Sequence, residues 1–325
     1  RGEAVDVTKP GSGGVYGRVV SGVPDPENGI LGTGWPDDDP IREMPGHPGP
    51  IVPDDAPQNR PVTVAETMYE FLSDFEEKRG SRIYLEERDS RGNVLNTVEQ
   101  PVENSFGSEY RKERYGQLHG FQREMTAAYE RPVVGLFGLT TSSKRPNGRP
   151  RPPVDHMREI ADGWAESGGV RESLRNLMET SLDIDPDDWT YIKGGEPHPG
   201  DGVSRGFHHA HPVVLFDLSA VDCEQREDLE DQLGKDATPE FFQPVIDAHV
   251  ENCPSASHEA HRLDKITFQE VGDGEDDIRD VASYAGAYIA GDVDKDVLEM
   301  PLEYLVWATT SWASTTQKFT AGRRA

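Results

Sequence analysis

The fold is decided by residues 206–216, which read GFHHAHPVVLF. The apolar run at residues 213–216 would anchor a β-strand in a core. Side chains alternate faces along a strand, so His209 and His211 are predicted to point the same way, with Ala210 in the opposite layer. Two imidazoles on one side of a rigid strand provide half of the ligands of a divalent metal. The competing interpretation is a strand end with incidental histidines.

A third metal ligand is predicted on the preceding strand. Residues 189–193 read WTYIK, which predicts a strand that ends at Gly194-Gly195-Glu196. A loop rich in Gly, Pro and Asp at residues 197–206 would join it to the histidine strand as a hairpin. Glu196 would then stand beside His209 and His211, with His198 as the alternative third ligand. Such a set leaves positions open for other oxygen ligands and suits Mg²⁺ or Mn²⁺.

Composition sets broad limits on the class of protein. The chain has 325 residues, enough for one large domain or two modest ones. Its formal net charge is -27, with 60 acidic and 33 basic residues. This excess of acid indicates a surface that stays hydrated in concentrated salt, as in a halophile. Net charge alone would instead indicate a protein that avoids nucleic acid, so local patches have to decide.

The cysteines and the apolar runs exclude two other classes. Two cysteines form no disulfide framework. Cys253 lies near His249, His258 and His261, but this spacing fits no standard zinc finger and argues against a structural zinc. The longest apolar runs are too short to span a bilayer, so we expect no membrane partner and a cytoplasmic location.

Three regions are predicted along the chain. Residues 1–60 are rich in Gly, Pro and Asp and read as an extended arm without a core. Residues 61–130 predict two helices, which begin near Thr63 and Ser108, with a hairpin between them. Residues 131–325 begin with an apolar strand at 133–141 and include the histidine strand. Near the end of this region, a predicted helix at residues 276–291 places Tyr284 and Tyr288 one turn apart.

A basic loop follows the strand at residues 133–141. It contains four cations, Lys144, Arg145, Arg149 and Arg151, and no acid. In so acidic a chain this loop is the best candidate for phosphate contacts, and the alternative is a solvated turn. The helix near Ser108 also carries Arg111, Lys112, Arg114 and Arg123. We expect most of these to form salt bridges with neighbouring acids, although the helix is also a candidate for contact with a DNA backbone.

These motifs, in this order, resemble the rolling-circle replication initiators of the HUH endonuclease superfamily, especially those of haloarchaeal plasmids and viruses. The matching residues are the strand ending at Leu139-Thr140-Thr141, the triplet His209-Ala210-His211 after Gly206-Phe207, and the pair Tyr284 and Tyr288. The resemblance covers roughly residues 105–320. Two departures are the small Ala210 and the absence of a lysine three residues after either tyrosine. Either Lys295 supplies that cation or the role is unfilled.

The resemblance implies an α+β fold with an HUH endonuclease-like central antiparallel sheet flanked by helices, and a nuclease domain at residues 131–325. It implies nicking and joining of single-stranded origin DNA with Mg²⁺ or Mn²⁺ at His209, His211 and Glu196. Tyr284 and Tyr288 would be the nucleophiles, and host replication proteins are possible partners. Lys144, Arg145, Arg149 and Arg151 are expected to bind DNA. Three rival interpretations are an HUH transposase or relaxase, a non-catalytic DNA-binding or structural viral protein, and a metal-dependent oxygenase.

Overall fold

Five antiparallel strands form the main sheet of the computed structural model, and two more form a separate hairpin. The structure describes residues 64–78, 82–101, 105–148, 150–198, 204, 206–272, 295, 297–316 and 319–321. The strands are β1 (Arg82–Arg88), β2 (Val94–Pro101), β3 (Pro132–Leu136), β4 (Trp189–Pro197), β5 (His208–Asp217), β6 (Thr267–Glu270) and β7 (Phe319–Ala321). The main sheet has the order β6-β3-β5-β4-β7, so the histidine strand β5 lies at its centre.

Seven α-helices surround these strands in the described part of the chain. They are α1 (Val64–Lys78), α2 (Ser108–Ala128), α3 (Pro153–Ala165), α4 (Val170–Asn176), α5 (Cys223–Glu230), α6 (Gln243–Asn252) and α7 (Leu302–Ser314). A π-helical turn, Leu177–Ser181, continues α4. With helices and antiparallel sheets both present, the fold is of the mixed α+β class, as the sequence predicts.

Both faces of β5 are covered, which explains why its second half is continuously apolar. Val214 and Phe216 pack with buried side chains of α3, α4 and α6 on one face. Val213 and Leu215 face the other way, in a cluster with the apolar side of α2. A strand buried on both sides needs large apolar groups at every position, and each contributes about 1.5–3 kcal/mol through burial.

The predicted strand at 133–141 is shorter in the structure, and a proline accounts for the difference. β3 ends at Leu136, opposite Val213. The next residue donates its N–H to the carbonyl of Pro212, which has no N–H to return. Pairing resumes at Leu139, whose N–H and carbonyl both bond to Ala210. The chain therefore continues beside β5 as far as the triplet.

A second core joins the two ends of the described chain. Phe71 of α1 and Trp307 of α7 are buried in one cluster, which also includes Met157 of α3 and Phe207. Gly206 begins this contact with a positive φ of 79°, and its backbone packs against Glu303 and Val306 of α7. The residues just before β5 are thus held by the last helix.

The hairpin β1-β2 has the antiparallel register that the sequence predicts, with Leu85 opposite Val98. Its tip is closed by Asp89, whose carboxylate accepts from the backbone N–H groups of Arg91 and Asn93. Tyr84 and Leu95 are more than 60% exposed, so this ribbon lies outside the cores described above.

Candidate metal centre

Strand pairing brings the predicted ligands together. Glu196 lies opposite His209 in the ladder between β4 and β5, so the two side chains share a face of the sheet. The rings of His209 and His211 lie on that face with their centroids 4.2 Å apart. One ligand atom from each of Glu196, His209 and His211 can be chosen so that all lie within 4.8 Å of one another. In the described residues no other group of three acids, histidines or cysteines meets this criterion.

The protonation of these groups favours cation binding. The pKa of His209 is lowered to about 3, mainly by burial and further by the neighbouring rings of His211 and His198. His209 is therefore neutral at neutral pH and keeps a lone pair for a metal. His211 Nε2 lies 2.7 Å from Glu196 Oε1, so an imidazole N–H donates to a carboxylate where an ion would otherwise draw both groups together.

The structure also leaves space beside the ligand atoms. A side chain at position 138 would place its Cβ 2.7 Å from His209 Nε2, so Gly138 keeps that nitrogen accessible. Two histidines, one carboxylate and this gap fit a small divalent ion with further positions for oxygen ligands. The residues present thus agree with the cation that the sequence predicts.

The alternative ligand, His198, lies nearby but outside the compact group. Its ring is 6.0 Å from that of His209, centroid to centroid, and nearly parallel to it. Its Nδ1 atom is buried without a hydrogen-bond partner. Glu196 is therefore the third ligand that the geometry favours, and His198 lines the side of the centre.

His208, the remaining histidine of the strand, points to the opposite layer. It is buried, and its Nδ1 accepts from the Trp307 indole N–H at 2.9 Å. Its pKa is lowered well below the usual value, first by burial and then by the charge of Lys193. The period of two thus separates His208, a packing residue, from His209 and His211.

Three further histidines hold the threonine loop beside the centre, and the sequence gave no sign of this role. His249 Nε2 donates to the Thr140 carbonyl at 3.0 Å, and the Thr140 N–H donates to His261 Nε2 at 3.1 Å. His156 Nε2 donates to the next carbonyl, that of Thr141, at 3.1 Å. Since Gly138 and Leu139 touch the histidine strand, these bonds fix the wall of the metal centre.

These contacts also show how the suspected zinc residues are used. His249 and His261 are occupied by the Thr140 peptide, and Cys253 Sγ donates to the Glu159 carbonyl at 3.3 Å. His258 is exposed and lies 3.8 Å from Asp247. The low expectation for a structural zinc therefore agrees with the geometry. Cys223 and Cys253 are both free.

The buried histidines predict that stability falls in acid. Burial lowers the pKa of His249 to about 4 and that of His156 to about 3. The unfolded chain takes up these protons near pH 6.5, so stability present above that pH is lost as the pH falls towards 4. Between pH 7.5 and 4.5 each of the two should cost roughly 2–3 kcal/mol. Denaturant titration at constant salt measures the loss.

A matched pair of variants isolates one of these histidines. His249→Gln keeps an amide N–H towards Thr140 but cannot titrate, so its pH dependence should be about 2 kcal/mol smaller than that of wild type. His258→Gln removes an exposed histidine and should leave the dependence unchanged. If wild type and His249→Gln lose the same stability, His249 is not neutral in the folded state.

The basic loop is divided by its contacts. Arg151 pairs with Glu159, and both side chains are mostly buried, so this arginine orders the loop. Lys144 is exposed and its backbone pairs with Pro150. Arg145 is half-buried, and Arg149 lies outside the described residues. The prediction of phosphate contacts therefore rests chiefly on Lys144 and Arg145.

The expectation for the basic helix needs a correction at Arg111. Its guanidinium is buried and donates to the carbonyls of Phe106 and Lys295, so it joins α2 to the region before α7. It can neither form a surface salt bridge nor reach DNA. Lys112 lies 3.4 Å from Glu109, as expected for a helix salt bridge. Lys112 is exposed and Arg114 only partly buried, so they stay candidates for DNA contact.

The predicted nucleophiles are not placed by the structure. Tyr284 and Tyr288 lie outside the described residues, as do residues 1–63. Their assignment rests on the sequence motif alone.

A mixed α+β protein with a central antiparallel sheet and a histidine–carboxylate centre is the class that the fold and site define. The chain belongs to a protein family described as "Putative rep protein (DUF1424)", whose model matches residues 51–325. This membership links the chain to replication initiation. No solved structure matches it.

Two haloarchaeal relatives show the same region. The chain is 29% identical over 273 residues to an "Uncharacterized 36 kDa protein" of Halobacterium salinarum, covering 79% of this chain and 73% of the relative. A protein of the same name from Halobacterium sp. (strain GN101) is 26% identical over 272 residues, covering 80% and 74%. These sources agree with the halophilic composition. Among the described helices none is long and apolar enough to cross a membrane.

Proposed function

We propose that this protein is an HUH-type endonuclease that nicks and rejoins single-stranded DNA to begin and end rolling-circle replication. The observation that carries the proposal is the grouping of Glu196, His209 and His211 on one face of the central strand. Membership of a Rep family supports replication as the context. The order of the threonine strand, the histidine triplet and the tyrosine pair supports the HUH type.

The chemistry follows from what these residues can do. Glu196, His209 and His211 would hold Mg²⁺ or Mn²⁺, which when bound neutralises a scissile phosphate and polarises its P–O bond. The threonine loop and Gly138 keep the approach to His209 open. Tyr284 or Tyr288 would supply the attacking phenol oxygen. The bond to phosphorus forms as the bond to the 3′-oxygen breaks, and the phenol proton passes to a base.

The products fit the initiation of synthesis. The 5′ end of the DNA stays on the tyrosine as a phosphotyrosine, and the free 3′-OH can prime a polymerase. A second tyrosine one turn away could make the terminating cut while the first is still occupied. These steps explain why two phenols, rather than one, would be useful on one helix.

The proposal is tested by trapping the covalent intermediate. Labelled single-stranded oligonucleotides tiled across the DNA that carries the gene are incubated with the protein and Mn²⁺. We expect one of them to give a protein–DNA band that survives denaturing electrophoresis and disappears with EDTA. DNA binding without any adduct would instead favour a non-catalytic DNA-binding protein. An adduct whose DNA lies outside a replication origin would favour a relaxase or transposase.

Lys144 gives a separate prediction about DNA affinity. A protein with a net charge of -27 needs locally positive ground to approach a polyanion at low salt. Lys144→Ala with Arg145→Ala should weaken binding similarly for all DNA sequences and reduce the salt slope by about 1. Fluorescence anisotropy across a salt series measures both. Lys235→Ala, which removes an exposed cation elsewhere, is the control and should have no effect.

A further inference from the structure

A second cavity opens beside β4, towards the end of the strand far from Glu196. Its volume is about 590 Å³, within the range of small-molecule sites. Its walls include Trp189, Thr190 and Tyr191 of β4 and Arg171 and Arg175 of α4. Trp189 and Glu196 are seven residues apart, so the cavity lies roughly 23 Å along the strand from the metal centre. It is therefore distinct from that centre.

Two buried polar groups in the wall have no protein partner. The indole N–H of Trp189 and the hydroxyl of Thr190 are inaccessible in the described structure and form no hydrogen bond. Both residues are more than 90% buried. A buried indole N–H normally finds an acceptor, so a ligand or water is expected to complete this wall. The edge of the sheet is open here, because β7 pairs with β4 only at Ile192–Gly194 in the described residues.

The wall combines aromatic rings with cations. The rings of Trp189 and Tyr191 are 6.3 Å apart and inclined by 30°, and Trp164 packs edge-on against Tyr191. Arg175 is half-exposed and lies 3.6 Å from Glu172, while Arg171 reaches the Ala165 carbonyl at 3.4 Å. Behind them, Lys193 Nζ lies over Trp164 at 5.1 Å. In so acidic a protein, two guanidinium groups beside aromatic rings indicate a planar ligand with an anionic group.

The acids of the cavity limit the charge of that ligand. Glu172 is already engaged, since it accepts from the Gly168 N–H and lies beside Arg175. Glu166 and Glu179 also line the cavity. They would repel a polyphosphate, whereas one phosphate can be balanced by the two arginines. The lining thus favours a single nucleotide over a nucleoside triphosphate.

We propose that this cavity binds one nucleotide unit, with its base against Trp189 and Tyr191 and its phosphate at Arg171 and Arg175. The Trp189 N–H would donate to an acceptor on the base edge. The unit can come from a free nucleoside monophosphate or from a strand of single-stranded DNA. The binding chemistry is the same for both, and it requires neither the metal centre nor the nicking reaction.

The test uses the full-length chain carrying His209→Ala, in EDTA, so that the metal centre cannot bind phosphate. Thymidine monophosphate is titrated by calorimetry and labelled oligothymidylate by anisotropy. Saturable binding of at least one probe is expected. A preference for the oligonucleotide assigns the unit to DNA, and equal or better binding of the monophosphate assigns it to a free nucleotide. Binding of neither probe overturns the proposal.

Two gentle variants show whether the cavity is the place. Arg175→Ala removes a half-exposed cation and should weaken binding about tenfold or more, as expected for loss of a charged hydrogen bond. Trp189→Phe keeps an aromatic ring but removes the N–H, and should weaken binding several-fold. Lys235→Ala is the charge-matched control. If both cavity variants bind as tightly as the control, the probes bind elsewhere and the proposal is wrong.

Discussion

Replacing His209 with alanine should abolish Mn²⁺ binding at the centre and reduce nicking by about 1000-fold or more. A bound metal supplies several kcal/mol of stabilisation to developing charge, and about 1.4 kcal/mol corresponds to a factor of ten in rate. His209 contributes a neutral imidazole because its pKa is about 3, and no other described histidine replaces it in the group of three. Calorimetry with Mn²⁺ and an oligonucleotide cleavage assay measure the two losses.

The controls separate loss of a ligand from loss of fold. His258→Ala removes an exposed histidine and should retain both metal binding and cleavage. Glu196→Gln keeps the shape of the side chain but removes its charge, so it should weaken Mn²⁺ binding, whereas His198→Ala should do so less. The opposite ranking would make His198 the third ligand. Full Mn²⁺ affinity in His209→Ala would show that the centre is not a metal site.

The metal centre could be predicted because local rules determine it. The period of two along β5 places His209 and His211 on one face, and the hairpin from β4 brings Glu196 opposite His209. Only short-range geometry enters these steps. The structure extends β4 to Pro197, which keeps Glu196 within the ladder rather than beyond it.

Other parts of the site depend on partners distant in sequence. Arg111 looks like a surface cation of a basic helix, but its guanidinium donates to the carbonyl of Lys295, 184 residues later. His249 and His261 lie 109 and 121 residues after Thr140, whose peptide they hold. No periodicity within a helix or strand predicts such contacts, because the packing of whole elements creates them.

The nucleotide cavity illustrates a third kind of information. Trp189 and Tyr191 read simply as strand residues in the sequence, and Arg171 and Arg175 as helix surface. The open edge of β4 and the proximity of α4 combine them in one wall. The missing hydrogen-bond partners of Trp189 and Thr190 become visible only in three dimensions.

Replacing both Tyr284 and Tyr288 with phenylalanine should abolish the covalent protein–DNA adduct, while either single replacement leaves some cleavage. Two phenols one helical turn apart can both reach a phosphate held over His209 and His211 if their helix crosses that face. One would then initiate and the other terminate. Phenylalanine keeps the ring and its packing, so a loss of activity cannot be attributed to a cavity in the core.

The comparison with a third tyrosine makes the result specific to the pair. Tyr115 of α2 packs edge-on against His119 and has no predicted role in cleavage, so Tyr115→Phe should form the adduct as wild type does. An adduct in the double variant would show that the nucleophile lies elsewhere in the chain. If one single variant already loses all cleavage, only that tyrosine attacks DNA and the other packs. The termination step would then need a second protein molecule, because a tyrosine already joined to DNA cannot attack again.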